Sequence, residues 1–164
     1  WVGGLYDGKI RVPLPGTEFD AVRVREILFH EYTHALVHEL TKNRCPQWFN
    51  EGLATYEGMK HGSSRTDQLA KAASAQRLIA WDQLNDQFAW GLPAAQVELG
   101  YQQSHSVVQY LVERYGFWRI RRLLKTLLDG ATFEDALAQE FRAKQARLEA
   151  DWRTWLLERV GAAR

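Results

Sequence analysis

Three of the chain's five histidines fall in FHEYTHALVHEL, residues 29–40, with glutamates among them. His30 and His34 are four residues apart, and Glu31 follows the first directly. On a helix, residues i and i+4 lie one above the other on a single face, with β-carbons roughly 6 Å apart. Two imidazole nitrogens can then converge on one metal ion at bond lengths of about 2.0–2.1 Å. Glu31 lies one step round the helix. From there it can reach a water held by that ion without ligating the ion itself, the position of a general base. The bland alternative is an exposed polar helix face with incidental histidines, so the surroundings must decide.

A catalytic zinc site takes three protein ligands and keeps one position open. His38 does not qualify as the third, because eight helical residues carry it about 12 Å along the axis from His30. The longer H-E-x-x-H-x-x-G-x-x-H pattern fails too, with Val37 where glycine is needed and Leu40 where histidine is needed. The remaining candidate is Glu51, in PQWFNEGLATY. A second helix that turns back across the first would bring its carboxylate to the two imidazoles.

The elements that must do this positioning are legible in outline. GGLY and KIRV flank Asp7-Gly8, a turn dipeptide, so residues 1–15 are expected to hold a β-hairpin that Pro13 and Pro15 end. Asp20 can cap a helix running to about Thr41, with Val24, Ile27, Leu28, Ala35 and Leu36 as its apolar period. A second helix is expected from Gln47 to Glu57, a third over 67–80, then an ordered loop through WDQLNDQFAWGLP. A fourth runs over 97–115 and stops at Gly116, a fifth ends at Gly130, Thr132 opens a sixth, and 144–159 make a seventh. The expected class is α+β, mostly helical: a small N-terminal hairpin or sheet edge followed by about seven helices. Residues 1–164 read as one domain, with the site helices at 20–58 and a helical part at 97–160.

Composition narrows the function classes. With 164 residues, 46% of them apolar and 25% charged, the chain reads as a soluble globular domain with a real core. A net charge of +1 argues against a dedicated polyanion binder. No run of 18 apolar residues suggests a membrane span, and no signal peptide is visible. The sequence begins at Trp1 rather than Met, so a fragment of a longer chain is expected. Cys45 is the single cysteine, which leaves no internal disulfide and no multi-thiolate metal site. Arg119, Arg121 and Arg122 form a basic cluster among many acidic neighbours and read as a solvated helix face, not a nucleic-acid surface.

HEYTH followed by PQWFNEGLATY resembles the gluzincin zinc metallopeptidases, whose third ligand is the glutamate of a W-x-x-E-G-x-A stretch. Trp48, Glu51, Gly52 and Ala54 occupy those positions. The resemblance is nearest to bacterial thermolysin-like peptidase MA domains and more distant to the M1 aminopeptidases. It implies one zinc ion on His30, His34 and Glu51, with Glu31 as base. YQQSHSVVQYLVERYG resembles the helix that follows, which implies that Tyr101 stabilises the transition state; His105 is the weaker candidate. Gln103 and Ser104 replace the M1 Lys and Gly. The resemblance also implies a strand edge for the substrate backbone, here Gly4, Leu5 and Tyr6, and a plain β cap is the other reading of that hairpin. Ligand imidazoles need acceptors for their other N–H, for which Thr55 and Glu57 are candidates.

The M1 G-x-M-E-N segment that anchors a free amino terminus is missing from the chain, so internal cleavage is expected over aminopeptidase action. The competing reading is a non-catalytic or latent peptide-binding module on the same scaffold. A peptide or protein substrate is the expected partner, with a flanking helical-repeat domain also in view and no nucleic acid. The family implies an envelope or secreted location.

Overall fold

The structure, a computed structural model, describes residues 5–6, 10–11, 20–59 and 66–162. Strands β1 (Leu5–Tyr6) and β2 (Ile10–Arg11) pair antiparallel, Leu5 opposite Arg11 and Tyr6 opposite Ile10. Seven α-helices follow: α1 (Ala21–Thr41), α2 (Gln47–Gly58), α3 (Asp67–Ser74), α4 (Ala94–Tyr115), α5 (Phe117–Leu128), α6 (Phe133–Phe141) and α7 (Gln145–Ala162). A 3-10 helix, Trp81–Phe88, lies between α3 and α4. The α+β expectation is corrected by this architecture: the fold is all-helical. A ladder of two residues per strand cannot supply a layer for a core, and the layers here are helix on helix. The rest of the expected hairpin, Gly4 included, lies outside the described residues.

Local chemistry explains most boundaries. The Asp20 carboxylate accepts from Val22 N at 3.0 Å and Arg23 N at 3.2 Å and starts α1. Thr132 Oγ1 accepts from Asp135 N at 3.1 Å and starts α6. Helix α1 ends at Lys42 and Asn43, whose φ angles are +49° and +63°, and Pro46 precedes α2. Helix α3 stops at Ser74, short of the expected residue 80. The chain reverses at Gln76, φ +55°, with Arg77 N donating back to Ala72 O at 2.8 Å, and the buried Gln103 amide then holds the backbone of Ile79, accepting from its N at 3.0 Å and donating to its O at 2.6 Å. Residues 81–88, expected as a loop, wind into the 3-10 helix that buries Trp81 and Leu84.

Helix α2 is the centre of the fold, packed against α1 on one side and α4 on the other. Its Trp48, Phe49 and Leu53 join Val107, Val108 and Leu111 of α4 in the core, which α5, α6 and α7 close with Leu123, Leu127, Leu137 and Trp152. Trp152 satisfies its indole N–H on Ser106 Oγ at 3.0 Å. Helix α1 departs from its expected face. Leu28 and Leu36 of the expected apolar period are exposed and Val24, Ile27 and Ala35 half-buried, whereas Glu31, Thr33, Val37 and Thr41 are buried. Polar site residues hold the inward face, so several apolar side chains turn outward. The basic cluster is partly structural: Arg122 Nε lies 2.8 Å from the buried Glu140 carboxylate, and Arg119 donates to the Glu140 carbonyl. No helix among the described residues is long and apolar enough to cross a membrane.

Candidate metal centre

One turn of α1 sets His30 above His34, their Nε2 atoms 3.0 Å apart and their rings edge to face at 84°. Glu51 reaches them from the second turn of α2. Its Oε2 stands 3.6 Å from His30 Nε2 and 3.4 Å from His34 Nε2. Tetrahedral ligands on bonds of 2.0–2.1 Å are about 3.3 Å from one another. The three measured separations bracket that edge length. Among the described residues, this trio is the cluster of metal-capable side chains.

The protonation chemistry fits a cation as well. His34 Nδ1 lies 3.1 Å from Asn50 Oδ1, an acceptor, so the ring proton belongs on Nδ1 and the Nε2 lone pair turns inward. His30 Nε2 can donate to that lone pair across the 3.0 Å gap; a cation on the two nitrogens would take the place of this shared proton. Glu51 Oε2 is buried and faces the two Nε2 atoms at 3.6 and 3.4 Å without a hydrogen bond of good geometry to either. Burial would raise the Glu51 pKa, but the closeness of the His30 and His34 imidazoles outweighs it and holds the carboxyl at about 2. Burial would lower the His34 pKa, but Glu51, Asn50 and Glu31 outweigh it and lift the imidazole above its ordinary value. A pocket that keeps the Glu51 carboxylate ionised and favours positive charge on the His34 imidazole is one where a cation can take the proton's place.

The close approach of the helices has a specific cause. A Cβ on Gly52 would meet Ser104 O of α4 at 2.6 Å and Val108 Cγ2 at 2.9 Å. A Cβ on Gly58 would meet Glu26 O of α1 at 2.9 Å and His30 Cβ at 3.4 Å. Glycine at both places lets α2 sit against two backbones at once, which sets where Glu51 points.

The other expected site residues differ in where they stand relative to this trio. Glu31 is buried, 5% exposed, and its charge acts on both His34 and Tyr101. Tyr101, on α4, packs its ring edge to face against Phe88 at 5.0 Å. Burial, then the charges of Glu51, Glu31 and Glu98, push its phenol up to about 12, so it keeps its proton. His105 is buried one turn further on, 6.3 Å from the Tyr56 ring, and burial lowers its pKa; it is not part of the trio. His38 stays outside too, with Nδ1 3.6 Å from Glu39. Leu5 and Tyr6 form β1, which lies against α1. Thr55 is buried, and Glu57 is half-buried about 9 Å of helix rise beyond Glu51. The acceptor observed on a site imidazole is Asn50, which sequence reasoning missed. Its signal was present: Asn50 stands directly before Glu51 and shares its helix turn.

The family model described as the peptidase MA superfamily matches residues 1–158. The chain belongs to the peptidase MA superfamily. No curated protein and no solved structure gives a significant match. Within this peptidase MA chain, the W-x-x-E-G-x-A stretch has a physical account at each position. Trp48 anchors α2 in the core at 3% exposure, Glu51 presents the carboxylate, Gly52 admits α4, and Ala54 is wholly buried.

Proposed function

We propose that this peptidase MA chain is a zinc-dependent metallopeptidase that binds one zinc ion on His30, His34 and Glu51. The observation that carries the proposal is the convergence of three donor atoms at 3.0, 3.4 and 3.6 Å, the edge lengths of a tetrahedral site. When bound there, zinc supplies Lewis acidity, making water more acidic and a peptide carbonyl more electrophilic.

The chain's own groups divide the remaining work. Glu31 takes the proton of the attacking water and passes it to the departing amine. Tyr101, kept as a phenol beside two carboxylates, donates a hydrogen bond to the oxygen on which negative charge develops. Asn50 holds the His34 tautomer. Leu5 and Tyr6 offer strand geometry beside α1 for pairing with an extended substrate. Internal cleavage is the favoured mode, because the sequence holds no G-x-M-E-N anchor for a free amino terminus.

Elemental analysis of wild type and Glu31→Gln, paired with a cleavage assay on unfolded casein, tests the proposal. The expected result is about one zinc per chain in both proteins, with cleavage by wild type only. Zinc content unaffected by replacing all three ligands would overturn the site. Zinc held without cleavage of any substrate in a broad peptide set would turn the reading to a binding module.

A further inference from the structure

Trp90 is the most exposed large apolar side chain among the described residues, at 103% relative exposure, whereas Trp48, Trp81 and Trp152 are buried. Its position is as unusual as its exposure. The 3-10 helix just before it is fastened to the ligand-bearing helix, with Asn85 Oδ1 accepting from Trp48 N at 3.1 Å. It is fastened equally to the Tyr101 turn of α4. Phe88 packs on the Tyr101 ring at 5.0 Å, Gln96 donates to Gln87 Oε1 at 3.0 Å, and Gln87 Cβ lies only 2.7 Å from where a Gly100 Cβ would be. The chain then swings out through Trp90, turns at Gly91 with φ +86°, and re-enters at Pro93, the N-cap of α4.

Trp90 lies two positions after Phe88, a Cα span of at most about 7 Å. An extended substrate advances about 3.3 Å per residue. With the reach of the Phe88 side chain and the 5.0 Å between the Phe88 and Tyr101 rings added, the Trp90 backbone stands within about five substrate residues of the Tyr101 ring. We propose that Trp90 is a substrate-binding residue, which covers an apolar side chain of an extended polypeptide a few positions from the scissile bond. An indole left wholly in water, on a short loop tied to α2 on one side and α4 on the other, is an apolar surface with no partner among the described residues. The proposal rests on the peptidase reading for its substrate class.

The test uses the zinc-loaded chain and a peptide series that places Leu, Phe or Asp in turn at each position within about five residues of a fixed cleavage point. Trp90→Ala is expected to raise KM about tenfold for Leu or Phe at one position, with the loss in KM rather than kcat and with Trp90→Phe restoring most of it. In parallel, iodide quenching of Glu31→Gln with and without the Leu peptide follows the tryptophan fluorescence that Trp90→Ala removes. Saturating peptide is expected to shield that fraction. A KM unchanged by Trp90→Ala at every position, or an indole still open to iodide in the saturated complex, overturns the proposal. If wild type cleaves nothing, the peptidase reading fails and the shielding result alone decides the role of Trp90.

Discussion

A single methyl group at position 52 tests whether helix packing sets the metal geometry. In Gly52→Ala the new Cβ meets Ser104 O at 2.6 Å and Ser104 C at 2.8 Å, where ordinary contact begins near 3.4 Å. The obstacle is backbone in the middle of α4, which cannot rotate aside, so α2 must retreat by roughly 0.8 Å. Overpacking of this kind costs about 1–3 kcal/mol. Alanine's better helix propensity returns up to about 1 kcal/mol. The net expectation for metal-free protein is a loss of about 1–2 kcal/mol in urea unfolding. The effect on zinc is larger in proportion. Ligand distances tolerate about 0.2 Å, and Glu51 is the neighbouring residue, so the shift is several times the tolerance. Zinc affinity, measured by competition with a chromophoric chelator, should fall at least tenfold. Val108→Ala added to Gly52→Ala should not restore it, because the Val108 Cγ2 contact is relieved and the carbonyl contact remains. Gly161→Ala, where a Cβ meets nothing within 4 Å, should leave zinc binding unchanged. Wild-type stability and zinc affinity in Gly52→Ala would refute the argument that α2–α4 contact positions Glu51.

Four further expectations use the same geometry. Asn50→Ala removes the acceptor on His34 Nδ1 and should weaken zinc about 10–100-fold with little change in helix content by circular dichroism. Tyr101→Phe keeps the packing on Phe88 and should lower kcat about 100-fold while KM moves little, as steady-state kinetics would show. The Tyr101 phenol is raised from 10.0 to about 12, so its contribution to stability is complete below pH 10 and is lost as pH climbs through 12. An ultraviolet difference titration of wild type against Tyr101→Phe should accordingly show one phenol ionising near pH 12. Chelating the metal should lower the thermal midpoint of wild type and leave the His30→Ala, Glu51→Ala double variant unmoved, as differential scanning fluorimetry would report.

Much of the helical framework was legible because its signals are local. Asp20 and Thr132 announce their helices through side chains that bond the first turn, and Gly116 and Gly130 mark two ends with positive φ. Where a distant group intervened, the local reading failed. Helix α3 was read six residues too long because nothing near Ser74 reveals the reversal at Gln76 or the Gln103 amide that holds Ile79. Leu28 and Leu36 of the α1 apolar period are exposed because periodicity finds an apolar face without saying whether all of it faces protein. The N-terminal turn signals suggest a β layer, but among the described residues the ladder is two residues per strand.

The sequence alone determined that two imidazoles and a carboxylate share one region of a helix, because 3.6 residues per turn leaves His30, Glu31 and His34 little freedom. It also supplied Glu51 as a candidate through its motif. Only the tertiary structure decided that Glu51 meets the histidines, that Asn50 supports His34, and that Tyr101 is close enough to feel both site carboxylates. Those relations join residues 16 to 70 positions apart. They depend on how closely α2 packs against α1 and α4, a distance set by the absence of side chains at Gly52 and Gly58 rather than by any feature local to the residues they bring together.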